Sequence, residues 1–333
     1  QDTFAVQSDI AEKVASALNV FLDDTMRERM KRAGTRNVEA FISFQKGMGL
    51  YERAHQEPNQ ISLLKRANIE FENAIAMSPE LVEAYHYHSD LSSHIVISHA
   101  AGELDGNITA TDLERAPGEL TNDYQQTIRY AKNANQLRNA EFGLALLTGQ
   151  WQGLSALTDL SLTTEGCETA LWAHLVGGPF GKAQLALEGF ARMLQCDPLR
   201  VRSMVHMTGA ILWMGEAGNA VSSAEEYLQK SNHPWLVRAL ALGLALEGQS
   251  EEAMQVAKDR FRVETESLFL MAMIAAIAGD QEQASNLASD YFAVNGPNDH
   301  HGLLFAALRG ERNEANRLAA IIDARPFGHI VLL

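Results

Sequence analysis

The residues best suited to chemistry are the histidines of one predicted helix that begins near Leu81. His86, Asp90 and His94 recur at intervals of four residues, so they share one stripe of an α-helix. A carboxylate between two imidazoles can accept a hydrogen bond from either ring. Such a set could take a partner's basic side chain, orient a peptide backbone or hold a metal ion loosely. Ordinary surface polarity is the alternative that the sequence leaves open.

The sequence contains none of the other common catalytic or metal-binding motifs. It has no phosphate-binding glycine loop, no paired-cysteine motif and no nucleophile elbow. Met204, Met207 and Met214 cluster with Trp213, and their helical spacing predicts packing in the core rather than a cofactor site. Zinc would require at least three protein ligands. We therefore predict no catalytic residues, no cofactor and no metal for this chain.

The two cysteines, Cys167 and Cys196, open and close one predicted helical hairpin. Ten residues separate Cys167 from Gly177, whereas fifteen separate Gly181 from Cys196. The excess of five residues corresponds to an overshoot of about 7 Å along the helix axis. A disulfide needs the two Cα atoms within about 7 Å in total. The spacing therefore predicts two separate thiols.

A short phrase that recurs along the chain predicts the architecture that positions these residues. Each copy is a glycine, four mostly polar residues and an alanine: 215–220, 248–253, 279–284 and 310–315. The glycines are 33, 31 and 31 residues apart, and a period in the low thirties is typical of helical-repeat proteins. Glycine ends the first helix in a left-handed conformation. The alanine allows the next helix to cross closely.

The pattern predicts an all-α fold, an α-α superhelix of about eight helical hairpins that is elongated overall. Apolar residues at helical spacing in 1–36 predict an N-terminal junction helix. Residues 37–333 then form a degenerate repeat solenoid, interrupted by an insertion at 102–120 that is rich in Gly, Asp, Thr and Pro. Long ordered loops often carry function, so we expect the hairpin that contains this insertion to be the binding hairpin.

Composition narrows the function classes. With 27 basic and 42 acidic residues the net charge is −15, and an acidic surface repels nucleic acid. The longest apolar run, Leu268 to Ala278, is shorter than the 18 or so residues that a membrane span needs. The sequence begins at Gln1 rather than methionine, so we expect it to be a fragment of a longer protein.

The hairpins resemble tetratricopeptide repeats over about residues 37–325. Ala67, Phe71 and Ala74, followed by Pro79, match the second helix of such a repeat. The resemblance implies that the first helix of each hairpin lines the concave surface. In the second hairpin, Ala84, Tyr85 and Leu91 would then hold packing positions, and the candidate binding residues facing the groove would be Glu83, His86, Asp90 and His94.

A second resemblance covers roughly the first 90 residues. The segment 4–18, then Glu39-Ala40, Gly47, 71–79 and 84–90 are similar to a family of bacterial signalling proteins. Those proteins join an adenylate/guanylate cyclase or winged-helix DNA-binding domain to a TolB-like domain and a tetratricopeptide tail. The resemblance implies that this chain is the tail and contains none of the upstream active residues.

We therefore predict a non-enzymatic interaction and regulatory module of a bacterial signalling or transcription-regulator protein. Its concave groove would bind a peptide, a partner protein or its own upstream domain, without nucleic acid, and a homodimer is left open. A small-molecule-sensing domain is one alternative. A helical-repeat enzyme with a groove site around His86, Asp90 and His94 is the other. The expected location is cytoplasmic, or periplasmic if the parent protein is membrane-anchored.

Overall fold

The chain is helical throughout the part that its structure describes. The computed structural model describes residues 30, 35–55, 59–102, 106–163, 176–261, 264–296 and 299–332. These residues form sixteen helices and contain no β-strand. The predicted all-α fold is confirmed. The predicted junction helix falls almost entirely on residues outside the described ranges and stays a prediction.

The described helices are numbered here in the order of the sequence. In chain order they are α1 (Val38–Ala54), α2 (Gln60–Met77), α3 (Val82–Ala101), α4 (Ala110–Tyr130), α5 (Ala134–Thr148), α6 (Leu154–Thr163), α7 (Ala183–Cys196), α8 (Val201–Trp213), α9 (Ala217–Leu228), α10 (Pro234–Leu246), α11 (Ser250–Arg260), α12 (Glu264–Ile277), α13 (Gln281–Asn295), α14 (Asp299–Leu308), α15 (Arg312–Asp323) and α16 (Gly328–Val331).

Consecutive helices pack as hairpins, and successive hairpins stack into a superhelix. The pairs are α1–α2, α3–α4, α5–α6, α8–α9, α10–α11, α12–α13 and α14–α15. Helix α7 follows two helical residues, Val176 and Gly177. The remainder of the predicted helix before it lies outside the described ranges.

The recurring glycine–alanine phrase has the geometry that its sequence predicts. Gly248 has a φ of 79°, and Gln249 donates its backbone N–H to the carbonyl of Leu244 over 2.9 Å. This pairing satisfies a carbonyl that the helix end would otherwise leave without a partner. Ala253, at the start of the next helix, is fully buried. A small side chain there permits α10 and α11 to pack closely.

The first hairpin is held together by a close approach of two helices. Phe71 in α2 is fully buried, and a methyl group added to Gly47 in α1 would lie 2.5 Å from its ring. Ala67 and Ala74 flank Phe71 on the same face and are also fully buried. The small–aromatic–small stripe therefore packs as its sequence predicts.

The predicted insertion at 102–120 is largely helix, so that expectation is wrong for its second half. Helix α4 begins at Ala110, and Thr109 and Asp112 form a reciprocal capping box at its start. Pro117 lies inside the helix, where proline has no N–H to donate and usually ends a helix. That proline concealed the helical spacing of Leu113, Ala116 and Leu120.

The superhelix curls back on itself, which corrects the expectation of an elongated array. The short helix α16 packs against α3. Arg325 donates a hydrogen bond to the carbonyl of Ala100 over 3.2 Å, and Nε2 of His329 donates to the carbonyl of Leu146 over 2.8 Å. The last hairpin is therefore tied to the second and third hairpins.

Two further sequence predictions are corrected. Cys196 is disulfide-bonded, and the chain's only other cysteine, Cys167, lies outside the described residues. Helix α7 starts at Ala183 rather than at Gly181, so the count of residues from Gly181 overestimated the length of this helix. Trp213 is 62% exposed rather than part of the core. Among the described helices, none is both long enough and apolar enough to span a membrane.

Candidate functional site

A cavity of about 390 Å³ lies on the concave side, between the first hairpins and the middle of the chain. Its wall is formed by the end of α1, the start of α2, the centre of α3, and the starts of α8 and α10. Within the described residues, five histidines line it: His55, His86, His94, His206 and His233. Imidazoles on or next to four different helices, α1, α3, α8 and α10, therefore face one half-open cavity.

Three of the four predicted site residues lie on this wall. His86, Asp90 and His94 project from α3 into the cavity, as their shared stripe implies. Glu83, one turn earlier, is partly buried and is not among the residues that line the cavity. The expected packing residues Ala84 and Leu91 are buried.

The opposite face of α3 carries a separate polar pair. His88 is 8% exposed and Asp123 of α4 is 2% exposed. Nδ1 of His88 lies 2.7 Å from a carboxylate oxygen of Asp123, and Glu72 lies 3.6 Å from Nε2. Burial alone would lower the pKa of His88, but the bond to Asp123 and the nearby Glu72 raise it. This pair fastens α3 to α4 and is not part of the cavity.

Asp90 stands between two histidines that come from different helices. Its Oδ2 atom lies 3.3 Å from Nε2 of His55 and 3.5 Å from Nε2 of His94. Among the described residues, no group makes a hydrogen bond of good geometry to this buried oxygen. Burial alone would raise the pKa of Asp90, but His94 and His55, when they carry a positive charge, hold it well below its usual range. The carboxyl group is therefore ionised.

His55 belongs to the site although its sequence position gave no sign of it. It follows the last residue of α1, and its Nδ1 lies 2.9 Å from the backbone carbonyl of Tyr51. A carbonyl can only accept a hydrogen bond, so the proton of a neutral His55 sits on Nδ1. The repeat pattern offered one signal: in stacked hairpins, the end of the first helix of one hairpin (α1) lies beside the centre of the first helix of the next hairpin (α3).

Arg202 of α8 closes one side of the cavity. Its guanidinium donates a hydrogen bond to the hydroxyl of Tyr51, and the carbon of that group lies 5.0 Å from the centre of the tyrosine ring. Burial, and then the negative charge of Asp90, raise the pKa of Tyr51 well above its ordinary value. The phenol is therefore neutral, and Arg202 remains a cation.

Two other histidines of the wall are uncharged at neutral pH. Burial, followed by the positive charge of Arg202, lowers the pKa of His86 to about 4. Burial and the neighbouring His55 also lower the pKa of His233. Nδ1 of His86 lies 3.2 Å from the side-chain amide of Asn139. The wall thus combines the neutral imidazoles of His86 and His233 with two carboxylates, Glu52 and Asp90, and one guanidinium.

Comparisons with known proteins find only weak similarities to solved structures. No protein-family model matches it, and no curated protein sequence matches it. It is similar to the crystal structure of PilW, a type IV pilus biogenesis factor, with 15% identity and a TM-score of 0.42 over 77% of this chain and 94% of that chain.

Two other solved structures show a similar level of likeness. A tetratricopeptide repeat protein from Parabacteroides merdae is 12% identical, with a TM-score of 0.45 over 82% of this chain and 98% of that one. PilF of Pseudomonas aeruginosa is 14% identical, with a TM-score of 0.36 over 85% and 97%. Likenesses this weak carry no argument about ligands or partners, which must come from the cavity.

Proposed function

We propose that this chain is a non-enzymatic recognition module that binds one compact polar ligand in the cavity of its concave surface. The observation that supports this proposal is the cavity itself, which joins His55 of the first hairpin, Asp90 of the second and Arg202 of the fifth. Solenoids use their concave surfaces for binding. Here that surface is drawn into an enclosed space.

The volume of the cavity favours a small ligand over an extended peptide. A cavity of about 390 Å³ is within the range of about 300–1,000 Å³ typical of small-molecule sites. Since each water occupies about 30 Å³ in the liquid, the cavity holds roughly a dozen waters. A protein partner would have to enter with one or two side chains or a chain end.

The wall supplies both polar and apolar contacts to such a ligand. Arg202 offers a buried positive charge, while the neutral His86 can donate or accept a hydrogen bond. Ile97, Val201 and Val205 add an apolar surface. A few convergent polar groups within a partly apolar wall are the usual composition of a ligand site.

A cavity-filling variant tests this proposal. Val201 lines the cavity and is only partly buried, so Val201→Trp fills the space without removing a polar group. The parent protein and the variant would be screened by thermal shift against amino acids, short peptides, dicarboxylates, sugars and nucleotides. A compound that stabilises the parent and not the variant supports the proposal. Binding of long peptides that is unaffected by Val201→Trp would overturn it.

Catalysis is the second candidate, favoured by the observation that His86, Asp90 and His94 share one cavity with His55. A neutral His86 is in the protonation state that a general base needs. Chromogenic ester, amide and phosphate substrates would test hydrolysis. Turnover by the parent that falls about 100-fold or more in His86→Ala supports an enzyme. Equal rates in both proteins, or no turnover, remove this candidate.

The resemblance over the first 90 residues supports a signalling context. We propose that ligand binding in the cavity changes how the repeat module contacts a preceding domain of the same protein. The test is to place this chain behind the domains that precede it in its full-length parent and to measure their activity with and without ligand. Val201→Trp should abolish the response and leave the basal activity unchanged.

The disulfide at Cys196 supports the periplasmic alternative for the location of the module. Disulfides persist in oxidising compartments and are rare in the cytosol. Thiol alkylation of the protein in freshly lysed cells, without reductant, would test this. Protection of Cys196 from the alkylating reagent supports the periplasm, and complete labelling supports the cytoplasm.

A further inference from the structure

The ring of His55 and the carboxylate of Asp90 face each other with nothing to attract them in the neutral state. Nδ1 of His55 uses its proton on the carbonyl of Tyr51, so Nε2 presents a lone pair. Oδ2 of Asp90 also presents a lone pair, 3.3 Å away. Two acceptors at this distance repel each other unless a positive centre lies between them.

His94 completes the arrangement from the other side. Its Nε2 lies 3.5 Å from the same oxygen of Asp90. The side-chain nitrogen of Gln60 lies 3.3 Å from this Nε2, and an amide N–H donates only to a ring nitrogen that carries a lone pair. In their neutral forms, therefore, both histidines place an Nε2 atom that carries a lone pair within 3.5 Å of Asp90.

The distances fit the ligand sphere of a small divalent transition metal. Zinc binds imidazole nitrogen at about 2.0–2.1 Å and carboxylate oxygen at about 2.0–2.2 Å, so neighbouring ligand atoms of a tetrahedral site are about 3.3 Å apart. The separations from Asp90 are 3.3 Å and 3.5 Å. All three ligand atoms lie within 4.8 Å of one another.

We propose that His55, Asp90 and His94 form a binding site for a divalent transition metal of the zinc class, with the remaining coordination position open to the cavity. The orphaned Oδ2 of Asp90 is an independent observation in favour of this site, because a buried carboxylate oxygen without a hydrogen bond is costly. The carbonyl of Tyr51 orients His55, as such groups commonly orient histidine ligands.

The ligand set selects among metals. Two imidazoles and one carboxylate suit Zn²⁺, Co²⁺, Ni²⁺ and Fe²⁺, whereas Mg²⁺ and Ca²⁺ prefer oxygen ligands alone. The amide of Gln60 lies close enough for its oxygen to become a further ligand if the group turns. The open position would face the enclosed volume, where a small ligand with a carboxylate, hydroxamate or thiol group could complete the shell.

The competing arrangement places protons where the metal would be. If both histidines are protonated, each forms an ion pair with Asp90 and no metal is needed. Arg202 lies on the same wall, and its positive charge disfavours two further cations beside it. The two arrangements differ in a directly measurable quantity, which is the stoichiometric uptake of metal.

The test is titration of the full chain with the metal alone. The protein is stripped with a chelator and dialysed, and Co²⁺ is added while the visible d–d absorption is recorded. Zn²⁺ affinity is then measured by competition with a chromophoric chelator. We expect one equivalent to bind, with Asp90→Asn and His94→Ala each weakening Zn²⁺ binding by 100-fold or more. His99→Ala, an exposed histidine of the same helix α3, should leave it unchanged.

The outcomes separate this inference from the proposed function. No saturable uptake by the parent, or equal affinity in the parent and Asp90→Asn, overturns the metal site. Loss of metal binding in His206→Ala, but not in His94→Ala, would also overturn it, since His206 lines the same cavity. Val201→Trp should still bind Co²⁺ through the three protein ligands. If the protein takes up metal but the thermal-shift screen finds no small-molecule ligand, the proposed function fails while this metal site stands.

Discussion

Arg202 donates a hydrogen bond to the hydroxyl of Tyr51, although the two residues are 151 positions apart in the chain. The bond joins the first and fifth hairpins across the concave side, which neighbouring-repeat contacts alone would leave open. It also places a guanidinium and a phenol at the wall of the cavity. This side-chain pair thus ties two distant parts of the cavity wall together.

Arg202→Ala should lower the free energy of unfolding by about 1.5–3 kcal/mol, because a hydrogen bond that involves a charged group is removed. Urea denaturation monitored by circular dichroism measures the change. Arg66→Ala is the matched control, since Arg66 is exposed on α2, and it should change stability by less than about 0.5 kcal/mol. Equal effects of the two substitutions would contradict a tie across the cavity.

Replacing each of two glycines of α1 by alanine should change the stability of the protein in opposite directions. A methyl group at Gly47 would lie 2.5 Å from the ring of Phe71, whereas one at Gly49 would meet nothing within 4 Å. Gly47→Ala should therefore destabilise the protein by about 1–3 kcal/mol through overpacking. Gly49→Ala should stabilise it by about 0.5–1 kcal/mol because alanine favours the helix. Thermal melts of both variants give the comparison, and a shift of the same sign in both would refute the predicted packing.

The pair of His88 and Asp123 should make stability depend on pH near neutrality. Because the pKa of His88 is raised in the folded protein, its contribution is fully present below its unfolded pKa of about 6.5 and is lost as pH rises through the folded pKa. Unfolding free energies at pH 6, 7 and 8 would be compared between the parent and His88→Gln. The parent should lose stability relative to the variant as pH rises. Parallel profiles for the parent and His88→Gln would contradict the prediction.

His301 should produce the opposite trend in acid. Nδ1 of His301 lies 2.6 Å from the hydroxyl of Tyr291, and burial, followed by the positive charges of His300 and Arg238, lowers its pKa to about 4. Its contribution is present above pH 6.5 and is lost as pH falls through 4, because the unfolded chain binds a proton that the folded chain excludes. His301→Gln should flatten the decline of stability between pH 6.5 and 4. An unchanged acid profile would show that the ring titrates freely.

The local features of the fold could be predicted because they depend on neighbouring residues. The left-handed Gly248 and the buried Ala253 follow from a turn of a few residues, and Ala67, Phe71 and Ala74 from helical spacing. Pro117 misled the prediction of α4 because tertiary packing here overrides its preference against the helix interior.

Only part of the candidate site could be predicted from the sequence. His86, Asp90 and His94 share a helix, so their common face could be inferred from their spacing. His55 and Arg202 reach the same cavity through the curvature of the superhelix. That curvature accumulates from small rotations between successive hairpins, and no local pattern in the sequence encodes it.

The contact of α16 with α3 fixes the number of hairpins that this protein can have. An open solenoid can gain or lose a repeat, because each unit touches only its neighbours. Here Arg325 reaches the carbonyl of Ala100, and His329 reaches that of Leu146, only with the present number of hairpins in between. Duplicating or deleting one hairpin would rotate and shift α16 away from both carbonyls. We therefore expect this protein to tolerate changes in loop length but not the gain or loss of a hairpin.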